Sequence, residues 1–192
     1  MDDKDFWHTT DPDDLWLFDK LILSKKLGYV CGPAGVPPPR LGIYVVRPCV
    51  NYRMMGKGAR FLKISPDDHE AVPDGYFWCE IFKGRHLSFD YHFGKQVLAV
   101  EGFRDDPERL DRFCMWKKTD VVFVLPPMIE EVSKKYEWIN IEVIGDKIIE
   151  VHFRYNDDFA NHNATTIIPV WKDEFYASAA GDRLGFILER KE

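Results

Sequence analysis

The residues best suited to chemistry lie on a predicted hairpin in the last third of the chain. Glu150, His152 and Arg154 occupy alternate positions of one predicted strand, so their side chains share one face. A Gly-Asp-Lys turn precedes that strand, and pairing across the turn brings Asn140 and Glu142 to the same surface. Carboxylates at this density repel one another unless a cation lies between them, and hard oxygen ligands suit Mg²⁺. The pattern is also typical of a solvated hairpin face with a salt bridge between Arg154 and a glutamate.

A second candidate region combines positive charge with glycine. Arg47 ends a predicted strand, and residues 51–58 contain two glycines together with Arg53 and Lys57. Backbone N–H groups of such a loop can form a nest for anions, and the basic side chains add positive charge. The segment therefore predicts either a phosphate-binding loop or an ordinary exposed hairpin.

A third region has the pattern of an apolar strand, a polar bend and a second strand. The first strand is predicted over 76–82, and the bend follows at Gly84. A bend of this kind can act as a hinge whose backbone reads an adenine edge while flanking side chains reach a ribose. Taken alone, the pattern indicates two strands joined by a turn.

Two helices are predicted around these regions. Apolar residues at helical spacing predict one over 15–27, ended by Gly28, and another over 128–136. The charged segment 105–112 is predicted to be helical or turn-like.

The rest of the pattern predicts strands. Residues 87–92 alternate apolar and polar side chains, which predicts a half-buried strand, and the apolar run 121–125 predicts a buried one. The other strands are predicted over 42–47, 61–64, 76–82, 96–101, 138–144, 148–153, 166–170 and 184–188. Antiparallel hairpins interrupted by few helices favour the α+β class.

Composition limits the class of protein further. The chain has 192 residues, 45% of them apolar and 30% charged, which excludes a disordered or collagen-like protein. Its net charge of -6 disfavours general nucleic-acid binding, which usually needs a basic surplus. The apolar runs are shorter than the ~20 residues that span a bilayer, and the acidic start lacks the apolar core of a secretory signal. Four cysteines without paired or zinc-like spacing favour free thiols in a reducing environment. We therefore expect a cytoplasmic protein without a membrane partner.

Taken in order, these regions resemble the ATP-grasp family. The Asp-Lys pair at 19–20, followed by Gly-Pro-Ala-Gly-Val-Pro-Pro from Gly32, is similar to the family's opening, and Val-Val-Arg-Pro ending at Pro48 resembles its Val-Lys-Pro strand. Trp-Cys-Glu-Ile-Phe from Trp78, with Gly-Arg-His-Leu-Ser from Gly84, resembles its hinge. Asn-Ile-Glu from 140 and Glu-Val-His-Phe-Arg from 150 resemble its metal-binding strands, which usually end in Glu-x-Asn-x-Arg. The resemblance covers residues 19–157 and implies two small lobes with mainly antiparallel sheets and few helices.

The resemblance also implies ATP and Mg²⁺ as cofactors and assigns roles to residues. Lys20 and Arg47 would contact phosphate, and Lys57 lies in the glycine-rich loop. Glu80 would begin the adenine-binding strip, Phe82 continues it, and His86 stands at the ribose position. The implied metal ligands are Glu142, Glu150 and His152, and the implied catalytic residues are Lys20 and Arg154.

Three positions depart from the family's pattern. Arg47 replaces a lysine, His86 a ribose-binding glutamate, and His152 a ligand asparagine; an imidazole suits softer ions than Mg²⁺. The resemblance divides the chain into an acidic leader (1–18), a first lobe with the phosphate loop (19–75), and a hinge, second lobe and tail (76–192). This division lacks the family's usual N-terminal domain, so a partner subunit or homo-oligomer would supply the acceptor surface.

The implied reaction is ATP-dependent ligation of a carboxylate to an amine, or less often a thiol, through an acylphosphate. Neither substrate is identified by the sequence. One alternative is a catalytically degenerate ATP-grasp-like module that binds a nucleotide or a partner, in a compact format reminiscent of phage accessory genes. Another is an unrelated antiparallel α+β interaction protein with an aromatic contact surface.

Overall fold

The computed structural model describes residues 5–50, 56–68, 70–160, 163–171 and 183–190. Within these ranges the chain forms two antiparallel sheets with a few short helices, so the predicted α+β class is confirmed. The helices are a 3₁₀ helix (Pro12–Phe18), α1 (Lys20–Lys26), α2 (Pro127–Ser133) and α3 (Asp157–Ala160). The strands are β1 (Cys31–Pro33), β2 (Gly42–Pro48), β3 (Arg60–Ile64), β4 (Tyr76–Cys79), β5 (His86–His92), β6 (Lys95–Phe103), β7 (Met115–Lys118), β8 (Trp138–Ile144), β9 (Lys147–His152), β10 (Thr166–Trp171) and β11 (Arg183–Glu189).

The smaller sheet has four strands in the order β1-β4-β2-β3. Its centre is β2, whose β-branched residues favour extended backbone, and one face packs a core that includes Tyr44, Val46, Ile64 and Trp78. Strand β4 ends at Cys79, three residues earlier than predicted, because Glu80 turns to pair with Val30 through its backbone and its side chain. The two sheets therefore divide after Cys79, while the lobe boundaries given above stay a prediction.

The larger sheet has seven strands in the order β11-β10-β7-β6-β5-β8-β9. One of its faces packs apolar side chains from β5, β8 and β9 against the helices. The prediction that 87–92 is half-buried is wrong, because β5 is central and all but its last residue are buried. Its polar residues Ser88 and Asp90 are paired with Asn140 of β8. The second face of the larger sheet is therefore polar, yet it is covered.

A break in the first helical region determines where Lys20 lies. The single helix predicted over 15–27 is wrong, because Asp19 is extended (φ -94°, ψ 105°) between the 3₁₀ helix and α1. Its Oδ1 accepts hydrogen bonds from the N–H groups of Leu21 (2.8 Å) and Ile22 (3.1 Å), which caps α1. The residues before Asp19 pack into the core of the larger sheet, and α1 packs against β9. Lys20 therefore begins α1 beside the edge of that sheet.

The segment 121–125 is not the buried strand that its apolar run predicts. Val122 and Val124 are 76% and 85% exposed, and the backbone is bonded by the side chains of Gln96 and Tyr91 rather than by a neighbouring strand. Gln96 Nε2 donates to Val121 O (2.7 Å), and Phe123 N donates to Gln96 Oε1 (2.9 Å). The strand that pairs with β6 is instead β7 (Met115–Lys118), which was not predicted from the sequence because its residues are largely polar.

Other local differences are small. Helix α2 ends at Ser133, before the predicted end at 136, and the segment 105–112 forms turns within the described residues. Part of the predicted phosphate loop, residues 51–55, lies outside the described residues. Among those described, no helix has the length and apolarity needed to cross a bilayer.

Two glycines bring the linker between the sheets into contact with the turn of the β8–β9 hairpin. A Cβ added to Gly84 (φ +126°) would lie 2.7 Å from Gly145 Cα, and one added to Gly145 (φ +65°) would lie 2.6 Å from Lys83 O. Gly145 N also donates to Arg85 O (2.9 Å). The backbones touch here because neither residue has a side chain.

We expect Gly145→Ala to destabilise the protein more than Gly35→Ala does. Both glycines have a positive φ, but a Cβ at Gly35 would meet nothing within 4 Å. The left-handed backbone costs an alanine about 1 kcal/mol at either site. Replacing glycine by alanine also lowers the entropy of the unfolded chain by the same amount in both variants. Steric overlap with Lys83 should add roughly 1–3 kcal/mol at Gly145. Chemical denaturation measures both losses, and equal values would contradict the close contact.

Candidate functional site

A cavity of about 350 Å³ lies between the two sheets. The smaller sheet contributes Val45, Arg47 and Phe61, and the linker contributes Ile81 and Phe82. The polar face of the larger sheet forms the opposite wall, with His86, Ser88, Asn140, Glu142, Glu150 and His152. Apolar side chains and ionisable groups therefore meet in one enclosed space, which is the usual composition of a small-molecule site.

An acidic cluster occupies the floor of this cavity. Glu142 and Glu150 are direct cross-strand partners in β8 and β9, and His152 follows two residues later on β9. One ligand atom from each of these three residues lies within 4.8 Å of the others. Like charges directly opposite each other destabilise a sheet, so the pair needs positive charge nearby. The geometry suits a divalent cation held by two carboxylates and an imidazole.

A β-bulge adjusts this part of the hairpin. Glu142 pairs with Glu150, but the next residue, Val143, pairs with Ile148, so Ile149 is the extra residue. Bulges re-aim side chains locally, and both Ile149 and Glu150 line the cavity. An apolar group and a carboxylate consequently lie side by side at this edge.

Two cations approach the cluster from other elements. Lys20 Nζ lies 3.3 Å from Glu150 Oε1, and the Lys20 side chain is only 4% exposed. Arg47, at the end of β2, is 8% exposed and lies over the Phe77 ring at 5.1 Å. Among the residues that the structure describes, its guanidinium has no hydrogen-bond or ion-pair partner. Burial lowers the pKa of Arg47 from its usual value, and the negative charge of Glu150 opposes that shift.

The charged state of Glu142 is favoured by its neighbours. Burial acts to raise the pKa of this carboxyl group, but the hydrogen bond from His86 Nε2 (3.1 Å) and the positive charge of Arg154 outweigh burial, and the pKa lies below its usual value. Glu142 therefore carries its negative charge throughout the neutral range. An ionised carboxylate is the form that binds a metal ion.

The other predicted site residues are placed differently. Arg154 lines the cavity, and its Nη1 donates to Tyr155 O at 3.3 Å. Phe82 also lines the cavity, whereas Glu80 directs Oε1 to the N–H of Val30 (2.8 Å), away from it. Lys57 is not among the lining residues, although its neighbour Gly56 is. The structure thus gathers Lys20, Arg47, Phe82, His86, Glu142, Glu150, His152 and Arg154 around one cavity.

Two features of the site were not predicted. Arg104, just after β6, lines the cavity and donates from Nη2 to His86 Nδ1 (3.3 Å). Beneath the cluster, Asn140 Nδ2 donates to Asp90 Oδ1 (2.7 Å), and the N–H of Asn156 donates to Asp90 Oδ2 (3.0 Å). Burial raises the pKa of Asp90 despite these hydrogen bonds. The alternation of β5 could have indicated Asp90, but nothing in the sequence singles out Arg104.

Comparison with known proteins finds similarity at the level of structure. No protein-family profile and no curated protein sequence matches the chain. An L-amino acid ligase from Bacillus licheniformis matches 78% of this chain with a TM-score of 0.50 and 12% identity. A protein from Archaeoglobus fulgidus assigned to the ATP-grasp superfamily matches 90% of the chain at a TM-score of 0.49 and 18% identity. The fold of the chain is ATP-grasp-like, as the sequence resemblance implied.

The chain spans only part of the length of these proteins. It covers 43% of the Bacillus ligase and 64% of the Archaeoglobus protein. At these identities the likeness concerns the fold. The residues of the cavity itself determine what it binds.

We expect the Lys20–Glu150 pair to be strongly coupled in the absence of metal. Removing one partner of a buried pair leaves an uncompensated charge, so Lys20→Met should cost about 3 kcal/mol of unfolding free energy. Combining it with Glu150→Gln should recover part of that loss, giving a coupling energy of about 1–3 kcal/mol. Chemical denaturation of the four proteins in EDTA measures the cycle.

The exposed pair Glu130–Lys134 on α2 is the matched control for that cycle. Its nitrogen and oxygen lie 2.6 Å apart, but the side chains are 46% and 58% exposed. Coupling there should stay below about 0.5 kcal/mol. A Lys20–Glu150 coupling no larger than this would show that the buried pair is not the counter-charge of the cluster.

Proposed function

We propose that the protein binds ATP with a divalent cation in this cavity and is an ATP-dependent carboxylate–amine, or thiol, ligase. The observation that carries the proposal is the acidic cluster of Glu142, Glu150 and His152 facing two buried cations across one cavity. Carboxylates on one wall, with Lys20 beside them and Arg47 on the smaller sheet, match the two parts of a metal–polyphosphate ligand. The ATP-grasp-like fold supports the same class of ligand.

The donor set fits a divalent cation. Glu150 Oε1 is buried without a hydrogen bond, although Lys20 Nζ lies 3.3 Å away, so it retains capacity for a ligand. Two carboxylate groups suit Mg²⁺, and the imidazole of His152 extends the range to Mn²⁺. When bound, the cation would offset negative charge on the phosphoryl group being transferred. Mn²⁺ is therefore a suitable probe as well as a candidate cofactor.

The remaining residues would contact either the phosphates or the adenine base of ATP. Arg47 offers phosphate oxygens a guanidinium that has no hydrogen-bond partner within the described part of the chain, and Lys20 lies beside Glu150. Lys57, whose neighbour Gly56 lines the cavity, would add a further positive charge for the phosphates. Val45, Ile81 and Phe82 form an apolar slot for the adenine, and Glu80 begins that strip by fixing the linker to Val30.

The proposed reaction is the two-step ligation that the ATP-grasp resemblance implies. A substrate carboxylate oxygen attacks the γ-phosphorus of ATP, the bond to the β–γ bridging oxygen breaks, and ADP leaves. An amine then attacks the acyl carbon, phosphate departs, and the nitrogen loses a proton. Arg154 and Lys20 would act as the catalytic cations, because charge that develops on the phosphoryl oxygens is stabilised by fixed positive groups. The free thiols of the chain fit the reducing cytoplasm that we propose as its location.

Calorimetric titration with a non-hydrolysable ATP analogue and Mg²⁺ or Mn²⁺ tests the proposal. We expect metal-dependent binding that Glu150→Gln weakens at least about 100-fold, because a direct ligand should cost more than an outer-shell partner. Glu150→Gln should also abolish ATP turnover while leaving the fold intact. Arg47→Met should weaken the nucleotide but not Mn²⁺ measured alone.

Glu101→Gln serves as the control, because that carboxylate pairs with Arg85 outside the cavity. Unchanged ATP consumption in Glu150→Gln would reject the ligase assignment. No binding of either metal or nucleotide to the wild-type protein would favour the catalytically degenerate module instead.

A further inference from the structure

Arg104 is a cavity residue that the proposed chemistry does not use. Its Nη2 donates to His86 Nδ1 (3.3 Å) and to Leu110 O (3.2 Å), and the guanidinium stacks over Phe113 at 3.9 Å. Among the described residues it has no carboxylate partner within ion-pair distance. Its strongest polar contact with a side chain is therefore with an imidazole, which is an unusual partner for a cation.

That contact determines the tautomer of His86. A guanidinium has donors only, so Nδ1 of His86 must accept and cannot carry a proton. The ring proton is then on Nε2, which lies 3.1 Å from Glu142 Oε2 and donates to it. Arg104, His86 and Glu142 form a hydrogen-bond chain in which Arg104 donates to His86 and His86 donates to Glu142. Both ring nitrogens are engaged by protein groups, although the sequence resemblance placed His86 at a ribose.

Aromatic side chains fix the ring between these two hydrogen bonds. Phe113 and Trp116 meet the imidazole edge-to-face, with centroids at 4.9 Å and 5.7 Å and interplanar angles of 79° and 88°. His86 of β5, Gly102 of β6 and Trp116 of β7 lie in one row across the sheet. A Cβ on Gly102 would lie 2.6 Å from the Phe113 ring and 2.9 Å from that of Trp116. The missing side chain of Gly102 therefore makes room for both rings.

The hydrogen-bond chain ends at Glu142, which is a member of the acidic cluster. His86 occupies Oε2 of Glu142, so the other carboxylate oxygen is left for a cation, with its direction already set. Hydrogen-bonded partners of this kind orient metal ligands in many metalloproteins and contribute about 10–100-fold to metal affinity. Here the usual order is reversed, because the histidine orients the carboxylate and is itself oriented by an arginine.

We propose that Arg104 and His86 are positioning residues that orient Glu142 as a ligand of the divalent cation, with Phe113 and Trp116 holding the imidazole in place. The inference rests on the proposed function, in which Glu142 binds that cation. It assigns His86 to the metal side of the site instead of the nucleotide. It also explains why a partly buried arginine lies beside a histidine.

The test measures Mn²⁺ affinity by electron paramagnetic resonance without nucleotide and the His86 tautomer by ¹⁵N NMR of the ring without metal. Arg104→Gln should weaken Mn²⁺ binding about 10–100-fold and convert the single Nε2–H tautomer into a mixture. Arg104→Lys retains a donor and should restore most of both signals. Arg85→Gln, which removes an exposed arginine next to His86, should change neither. The His86→Gln spectrum identifies the resonances.

Gly102→Ala provides an independent variant that removes no polar atom. Displacement of Phe113 and Trp116 should release the ring, so Mn²⁺ affinity should fall and the tautomer should become mixed while the protein remains folded by circular dichroism. This variant keeps the test decisive if Arg104→Gln does not fold.

The outcomes separate the two proposals. Mn²⁺ binding that Glu142→Gln abolishes but Arg104→Gln and Gly102→Ala leave unchanged would overturn the positioning role alone. A wild-type protein that binds no Mn²⁺ would overturn the proposed function and the positioning role with it. A wild-type His86 protonated on Nδ1 would overturn the hydrogen-bond chain whatever the metal does.

Discussion

The repulsion between Glu142 and Glu150 is the constraint on which the rest of the site depends. Two carboxylates held opposite each other on neighbouring strands are tolerated only where positive charge or donated hydrogen bonds compensate them. The chain draws that compensation from far apart in sequence: Lys20 from the first α-helix, Arg47 from the smaller sheet and His86 from the central strand of the larger one. The acidic pair thus connects a helix, the smaller sheet and the centre of the larger sheet at one site.

Small irregularities in regular structure place these groups. The extended conformation of Asp19 ends one helix and caps the next, so that Lys20 emerges at the edge of the larger sheet. The bulge at Ile149 allows a carboxylate and an apolar side chain to line the same cavity. Neither feature adds much stability by itself. Each interrupts a regular element so that one side chain is directed into the cavity. An uninterrupted helix or strand would direct that side chain elsewhere.

The parts of the site that local periodicity governs were predictable from the sequence. The period of two in β8 and β9, with a glycine turn between them, is enough to bring Glu142, Glu150 and His152 together. Arg104 was not predictable, because its contact with His86 depends on the register of β5 against β6 and on the space beside Gly102. The segment 121–125 was mistaken for a buried strand, because composition alone does not show that the side chains of Gln96 and Tyr91 take the place of a neighbouring strand.

The contact between Gly84 and Gly145 has a mechanical consequence. The backbone that joins the sheets touches the tip of the hairpin whose strands carry the carboxylates. A rotation of one sheet about that linker would push on the hairpin turn at Gly145, because the two backbones are already in contact there. The angle between the sheets and the position of the acidic hairpin therefore meet at a contact made by main-chain atoms alone.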